Sequence, residues 1–469
     1  MAHVAPGTGT RHIGHIESAD PRISKTRTMD ATEPIPADRQ CDVLIVGGGP
    51  AGATLATLLA RRGRQVTLIE KEHHPRFHIG ESLLPANVAL FDDLGVREQV
   101  EAIGMPKWGV EFVSPHHAHR SHLAFADALD KSMPYAWQVR RADLDEILFR
   151  QAGRCGATTL EGHRARAVTF DADGATVTVE PDDGPAQTWR CRYFVDATGR
   201  DTFLASRLRS KRKHPDHASS AIFGHFRHAR RLEGRREGNI SILWYPHGWF
   251  WFIPLSDGTT SVGAVCWPYY LKSRDRPLRE FFMDTIAMSP ELADRLRGAE
   301  LVDDQVHATG NYSYLGSHCA GERYAMLGDA FAFIDPVFSS GVYLAMRSAY
   351  AAVPLVEATL DKHPSACTVE RADFEKTMRS APTEFSWFIF RVTNPTMREF
   401  FMAPRNPLRM KEALLTVLAG DIDGRTPYRA PLTAFKALYW LVSMAHPVRT
   451  WQAWRRRRHN IRDVEAAPT

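Results

Sequence analysis

Residues 41–70 constrain the fold more than any other part of the chain. They contain CDVLIV, then GGGPAG, then ATLATLLA, then QVTLIE. The first run is apolar and β-branched without polar alternation, the pattern of a strand buried on both faces in a parallel sheet. It leads directly into Gly47, Gly49 and Gly52, spaced as G-x-G-x-x-G at a strand-to-helix turn. Glycines there let backbone approach a pyrophosphate, and the N-terminus of the following helix favours its negative charge. The second strand ends in Glu70, placed to accept hydrogen bonds from an adenosine ribose. Together these elements predict an α/β chain built on a dinucleotide-binding βαβ unit. The fingerprint occurs once, so binding of NAD(P)H is not indicated.

A second stretch, residues 328–341, reads GDAFAFIDPVFSSG. It follows an apolar strand at residues 324–327 and precedes a helix with an apolar face of Val342, Ala345, Met346, Ala349, Val353 and Val356. That face is expected on the sheet, with a kink at Pro354. Asp329 follows a glycine at the strand end, and Ser339-Ser340-Gly341 opens the helix, so the loop between them is built to hold something polar.

Between these stretches several residues carry two readings each. Glu81 and Ser82 lie in FHIGESLLP, where they either cap the helix from Ala86 or contact a cofactor. Lys107 is either a solvated surface amine or, between Met105-Pro106 and Trp108-Gly109, a desolvated reactive one. Arg141, at a helix start, meets an anionic cofactor or pairs with Asp145. His116, His117, His119 and His122 lack carboxylates at useful spacing, so no metal site is expected. The alternating stretches AVTFDAD and ATVTVEP, followed by YFVDATG, predict a hairpin and a return strand closed by Asp196 and Gly199.

Residues 249–254 read WFWFIP and predict a strand with Trp249 and Trp251 on one face and Phe250 and Phe252 on the other. Such a strand is either aromatic core or a bulky wall beside a cofactor. Basic runs at 207–214 and 230–238 read as loops flanking a strand at 221–226, either solvated surface or a partner site.

The chain has 469 residues, 59 Lys and Arg against 54 Asp and Glu, and six cysteines without a C-x-x-C. Mild positive charge in separate runs, with no accompanying motif, does not indicate nucleic acid. Scattered cysteines fit reduced thiols in a cytoplasmic protein. No apolar run reaches the roughly eighteen residues of a membrane span. Residues 1–38, without apolar period, read as a disordered tail, and Met29 begins a segment that would start a more compact protein.

Three motifs now coincide: the glycine fingerprint; W-x-W-x-I-P at Trp249, Trp251, Ile253 and Pro254; and F-x-x-P-x-x-S-x-G at Phe333, Pro336, Ser339 and Gly341. Together they resemble the flavin-dependent halogenases over about residues 40–410. The resemblance implies an FAD-binding Rossmann-like domain of the p-hydroxybenzoate-hydroxylase type, with an inserted β-sheet substrate domain and a helical C-terminal region. The boundaries expected are a tail at 1–38, an FAD-binding domain at 39–385 whose substrate sheet is split between about 114–139 and 207–304, and helices at 386–469.

The resemblance also implies roles. FAD, as FADH2 supplied by a separate flavin reductase, would be held by Gly47, Gly49, Gly52, Glu70, Glu81, Ser82, Arg141, Asp329 and Pro336. A halide ion would sit on the backbone N–H groups of Ser340 and Gly341 and be oxidised with O2 to hypohalous acid. Trp249, Trp251 and Phe338 would wall the site, and Lys107 would pass electrophilic halogen to an aromatic ring. Tryptophan halogenases carry an acid where this chain has Phe338; DPVFSSGV resembles the phenol and pyrrole branch, whose substrates are often tethered to a carrier protein. The basic runs and Arg455 to Arg458 would meet an acidic carrier. An aromatic monooxygenase or an isoprenoid reductase on the same fold is the alternative.

Overall fold

The Gly-rich turn stands at one end of a mixed sheet. In the computed structural model, which describes residues 36–215, 217–310, 313–422 and 426–462, four strands run parallel in the order Thr158–Leu160, Val66–Ile69, Gln40–Val46, Gln187–Asp196. Tyr324–Met326 adds a fifth in parallel beside Phe194 to Asp196. The hairpin His163–Asp171 and Gly174–Pro181 extends the earlier half of the same edge in antiparallel fashion. The register aligns Val46 with Ile69 and with Asp196, and Asp196 with Met326. The next residues of each strand therefore emerge side by side: Gly47, Glu70, Ala197 and Leu327. This is the carboxyl end of an open α/β sheet, where such folds form a binding crevice.

The helix Pro50–Ala60 follows the turn, with proline at its first position, where the missing N–H costs nothing. It is buried from Pro50 to Leu59 between the helices Arg141–Arg154 and Gly341–Asp361. The apolar face expected on the sheet for the last of these helices therefore rests chiefly on another helix. Pro354 does not end it; the helix continues to Asp361.

A second sheet has the order Glu300–Leu301, Ser220–Arg227, Thr260–Cys266, Gly248–Pro254, Ile240–Tyr245, Gly109–Val113, Ser121–Ala124, with His307–Thr309 also on Ser220–Arg227. Alternation along Gly248–Pro254 divides two cores. Trp249, Trp251 and Ile253 join an apolar cluster shared with the C-terminal helices, and Phe250 and Phe252 join one with Tyr270, Phe281 and Phe282. A separate pair of strands, Met105–Lys107 and Ala136–Gln138, bridges the two sheets in sequence. The C-terminal part is helical from Thr368–Ile389 through Pro395–Met402, Met410–Ala419, Arg429–Ala445 and Pro447–Arg462.

Three expectations are corrected or set aside. Residues 1–35 of the expected tail, Met29 included, lie outside the described residues, and Ala37–Arg39 already forms a short 3-10 turn. The basic run at 207–214 is not wholly a loop, because Lys211–Lys213 pairs with Tyr314–Gly316. Two of the four histidines do have carboxylate neighbours, brought from afar: His117 lies 3.3 Å from Glu399 and His122 lies 3.9 Å from Glu111. Among the described residues no group of His, Cys, Asp and Glu is arranged to hold a metal ion, and no helix is long and apolar enough to cross a membrane.

Candidate functional site

One cavity of about 610 Å³ runs from Gly47, Gly49 and Glu70, past Arg141 and Asp329, to Trp249, Trp251, Pro336 and Gly341. Its volume lies within the range of cofactor and small-molecule sites. At the first end the backbone is packed without room for side chains. Gly47 has φ +107°, and a Cβ there would stand 2.3 Å from the Ala197 carbonyl oxygen. A Cβ on Gly52 would stand 2.0 Å from the Gly47 carbonyl oxygen. Gly49 heads the helix with no side-chain cap, leaving its first-turn N–H groups to a ligand.

Glu70 already has protein partners. Its Oε2 accepts from the Gly48 N–H at 2.8 Å and from Arg76 at 3.3 Å. It therefore stiffens the turn as well as lining the cavity. Arg141 pairs with Asp145 at 2.9 and 3.0 Å, as one of its readings expects, and it also lines the cavity. Asp329 faces the same space, where burial raises its carboxyl to a pKa of about 6 against the pull of Arg200 and Arg141.

The capping reading of Glu81 and Ser82 does not hold, because the helix Ala86–Leu94 starts at Pro85 without a side-chain cap. Both residues line the cavity. Glu81 Oε1 lies 2.8 Å from His225 Nε2, and its Oε2 is buried with no hydrogen-bond partner. Ser82 Oγ accepts from Lys107 Nζ at 2.9 Å.

Lys107 is 2% exposed, so the solvated reading is excluded. Its Nζ donates a second hydrogen bond to the Leu83 carbonyl at 2.9 Å and lies 5.4 Å from the Phe125 ring centre. Burial lowers its pKa to about 7. The apolar surroundings are not the sequence neighbours: Trp108 turns away to pack on Tyr135 and the Arg235 guanidinium. The cavity wall at this point is Ser82, with Lys107 behind it.

Trp249, Trp251 and Ile253 form the opposite wall. Trp251 Nε1 donates to Ser261 Oγ at 3.1 Å, and its six-membered ring lies over Gly263, where a Cβ would come within 2.2 Å of it. The indoles are therefore core on one side and line the cavity on the other. At the far end Ser339 adopts φ 57°, and Ser340 heads the long helix with its Oγ buried and without a partner. Gly341 lines the cavity, and a Cβ there would meet open space.

Phe338 is a correction. Its ring packs against Phe388 and Phe401, with centroids 6.1 and 6.2 Å away, inside the core with the C-terminal helices rather than on the cavity. Phe333, two residues before Asp335, lines the cavity instead. The turn Pro336–Phe338 rotates the Phe338 side chain to the opposite side, a rotation no local pattern announces.

One cluster escaped sequence reasoning. Asp335 Oδ2 accepts from Ser219 Oγ at 2.6 Å and lies 3.2 Å from His217 Nε2, while Oδ1 accepts from the Val337 N–H at 3.3 Å. It anchors the loop carrying Pro336 to Gly341. An Asp before Pro is a turn signal, but its partners lie 116 and 118 residues away, and nothing local identifies them.

A family model described as an FAD binding domain matches residues 40–378. The chain is 36% identical over 330 residues to a tryptophan 2-halogenase of Chondromyces crocatus, covering 68% of this chain and 61% of that one. It is 28% identical over 410 residues to a 1H-pyrrole-2-carbonyl-[peptidyl-carrier protein] chlorinase of Pseudomonas fluorescens, covering 82% and 90%. Among solved structures it resembles the myxobacterial chondrochloren halogenase, with a TM-score of 0.71, 30% identity and coverage of 84% and 93%. The match to the first relative thus spans less than two thirds of that relative's length.

Proposed function

The chain belongs to the flavin-dependent halogenases and to the FAD-binding-domain family, and from that premise we propose that it uses reduced FAD, O2 and chloride or bromide to halogenate an electron-rich aromatic ring. The observation that carries this reading is the hydrogen bond between Lys107 and Ser82. It places a desolvated amine one residue behind the wall of a cavity that also contains the Gly-rich turn and the two indoles.

The residues fit a flavin dinucleotide. Gly47 and Gly52 leave no room for a Cβ, the helix at Gly49 has an uncapped start, and the buried Glu81 Oε2 lacks a partner beside the cavity. Gly47, Gly49, Gly52 and Glu70 would hold the adenosine and pyrophosphate end. Arg141, Asp329, Glu81, Ser82 and Pro336 would hold the rest. When bound, the reduced flavin supplies the electrons that activate O2 toward halide.

The chain's own residues do the remaining work. The N–H groups of Ser340 and Gly341 hold the halide at the start of a helix, where a partly dehydrated anion is favoured. Trp249 and Trp251 keep organic substrate out of this end. Lys107 receives hypohalous acid, by hydrogen bond or by forming an N–halogen bond as water leaves, and the ring then exchanges a proton for the halogen. An amine with a pKa of about 7 is available as free base at neutral pH, whereas an ordinary lysine is not.

The substrate is of phenol or pyrrole type, free or carrier-tethered; the relative named as a pyrrole-carrier-protein chlorinase supports this. Phe338 lends no support, since it does not line the cavity, and the relative named as a tryptophan halogenase brings an indole into the test. Reduced flavin comes from a separate reductase, because only one dinucleotide fingerprint is present. The test incubates the protein with FAD, a flavin reductase, each halide and a panel of free and carrier-bound phenols, pyrroles and tryptophan, read by isotope pattern. Halogenated product is expected only with halide and reductase. A hydroxylated product formed equally without halide would replace this reading with an aromatic monooxygenase.

A further inference from the structure

The last two described helices leave an apolar and basic face uncovered. On Arg429–Ala445, Trp440, Leu441 and Met444 point outward; on Pro447–Arg462, Val448, Trp451 and Trp454 do. Leu441 is 60% exposed, Met444 65% and Trp451 54%, although the first of the two helices buries Leu432, Phe435 and Tyr439 on its other side. Six large apolar side chains exposed within residues 440–454 are the composition of an interaction surface.

Charge identifies what covers them. From 429 to 462 the chain has eight Lys and Arg and no Asp or Glu. On the second helix the arginines divide by direction. Arg457 turns inward, onto the Phe390 carbonyl and ring, and Arg449 reaches Thr396 and Glu399. Arg455, Arg456 and Arg458 are exposed, and two of them stack on the outward indoles: Arg455 lies 5.3 Å from the Trp451 ring centre and Arg458 4.6 Å from that of Trp454.

We propose that this helical pair is a docking surface for an anionic lipid membrane, on which the protein lies without spanning it. Tryptophan with arginine beside it is the composition of the membrane–water interface: the ring sits at headgroup depth while the guanidinium reaches phosphate. Clustered arginines without intervening acids add attraction to anionic lipid. No helix among the described residues is long and apolar enough to cross a bilayer, so the face lies on the surface. A second copy of the chain is a poorer occupant, because a self-complementary contact would bring together two basic faces, neither of which carries an acid within residues 429–462. The surface is independent of the halogenation chemistry and stands or falls separately.

The test is co-sedimentation of the FAD-loaded full chain with vesicles of phosphatidylcholine alone or mixed with phosphatidylglycerol. Binding is expected to the anionic vesicles and to weaken at high salt. Trp451→Ala with Trp454→Ala, and separately Arg455→Glu with Arg458→Glu, are each expected to lower the bound fraction about tenfold or more. Circular dichroism and FAD content should stay unchanged, since these side chains are exposed. The proposal is overturned by no binding to anionic vesicles at low salt, or by binding that neither double substitution reduces. It is also overturned if light scattering finds a dimer that both substitutions dissociate, or if an acidic carrier domain binds this face while vesicles do not.

Discussion

Lys107 Nζ and Ser82 Oγ lie 2.9 Å apart, both buried, on segments 25 residues apart in the chain. The bond ties the amine to the cavity wall and fixes where its lone pair is available when the proton is lost.

Replacing Lys107 with Ala should remove halogenation by about 10²-fold or more, while FAD content stays near that of the natural protein, because Lys107 does not form the cavity wall. Product mass spectrometry and flavin absorbance check the two parts. The pH dependence carries a sign. Burial lowers the folded pKa to about 7 from 10.5 in a free lysine, so between those values the unfolded chain binds the extra proton. Stability contributed through this group rises with pH across that window, and below about pH 7 its full cost is felt. Lys107→Met should therefore be more stable than the natural protein at pH 6, with the difference shrinking toward pH 10 in thermal melts.

Asp329 works in the opposite sense. Its folded pKa of about 6 exceeds the ordinary 3.8, so the folded protein binds more protons between those values and loses stability as pH rises through them. Above pH 6 the desolvation cost of the charged carboxylate is felt in full. Asp329→Asn should raise the melting temperature of the flavin-free protein at pH 7 and yet weaken FAD binding. A gain in both would remove the carboxylate from the cofactor site.

Asp335→Ala should cost about 1–3 kcal/mol, because it leaves Ser219 Oγ, His217 and the Val337 N–H without their shared acceptor. The loop it anchors carries Ser340 and Gly341, so the halide concentration needed for half-maximal rate should rise more than the FAD requirement does. Titration of bromide at saturating FAD, beside a thermal melt, measures both.

Gly52→Ala forces a Cβ to within 2.0 Å of a backbone oxygen that cannot move without shifting the turn. Overpacking of this kind costs about 1–3 kcal/mol, and flavin retention after gel filtration should fall with it. Gly63→Ala, on a glycine whose added Cβ meets nothing, separates the two effects: its penalty comes from backbone strain at φ +78° and not from overpacking, so flavin retention should stay unchanged.

Much of the fold was legible because its determinants are local. The unbroken apolar run at residues 41–46, the three glycines and Glu70 specify a βαβ unit within thirty residues, and the strand Gly248–Pro254 appears with the faces its alternation predicts. The choices at Glu81, Ser82 and Lys107 were not legible. Capping and cofactor contact ask for the same residue types, and burial of a lysine depends on Leu83 and Phe125 arriving from elsewhere. Phe338 shows the converse error, since its place in the motif invites a wall position and the turn at Pro336 directs it into the core with Phe388 and Phe401.

The sequence by itself determined the α/β class, the dinucleotide fingerprint and the motifs that mark the family, because period, glycine spacing and turn chemistry act over a few neighbouring residues. Only the tertiary structure decided that Lys107 is dry and bonded to Ser82, that Asp335 meets His217 and Ser219, and that Leu441, Met444, Trp451 and Trp454 face outward. Each of these depends on desolvation or on contacts across many residues of chain, and those energies exist only once distant segments have packed together.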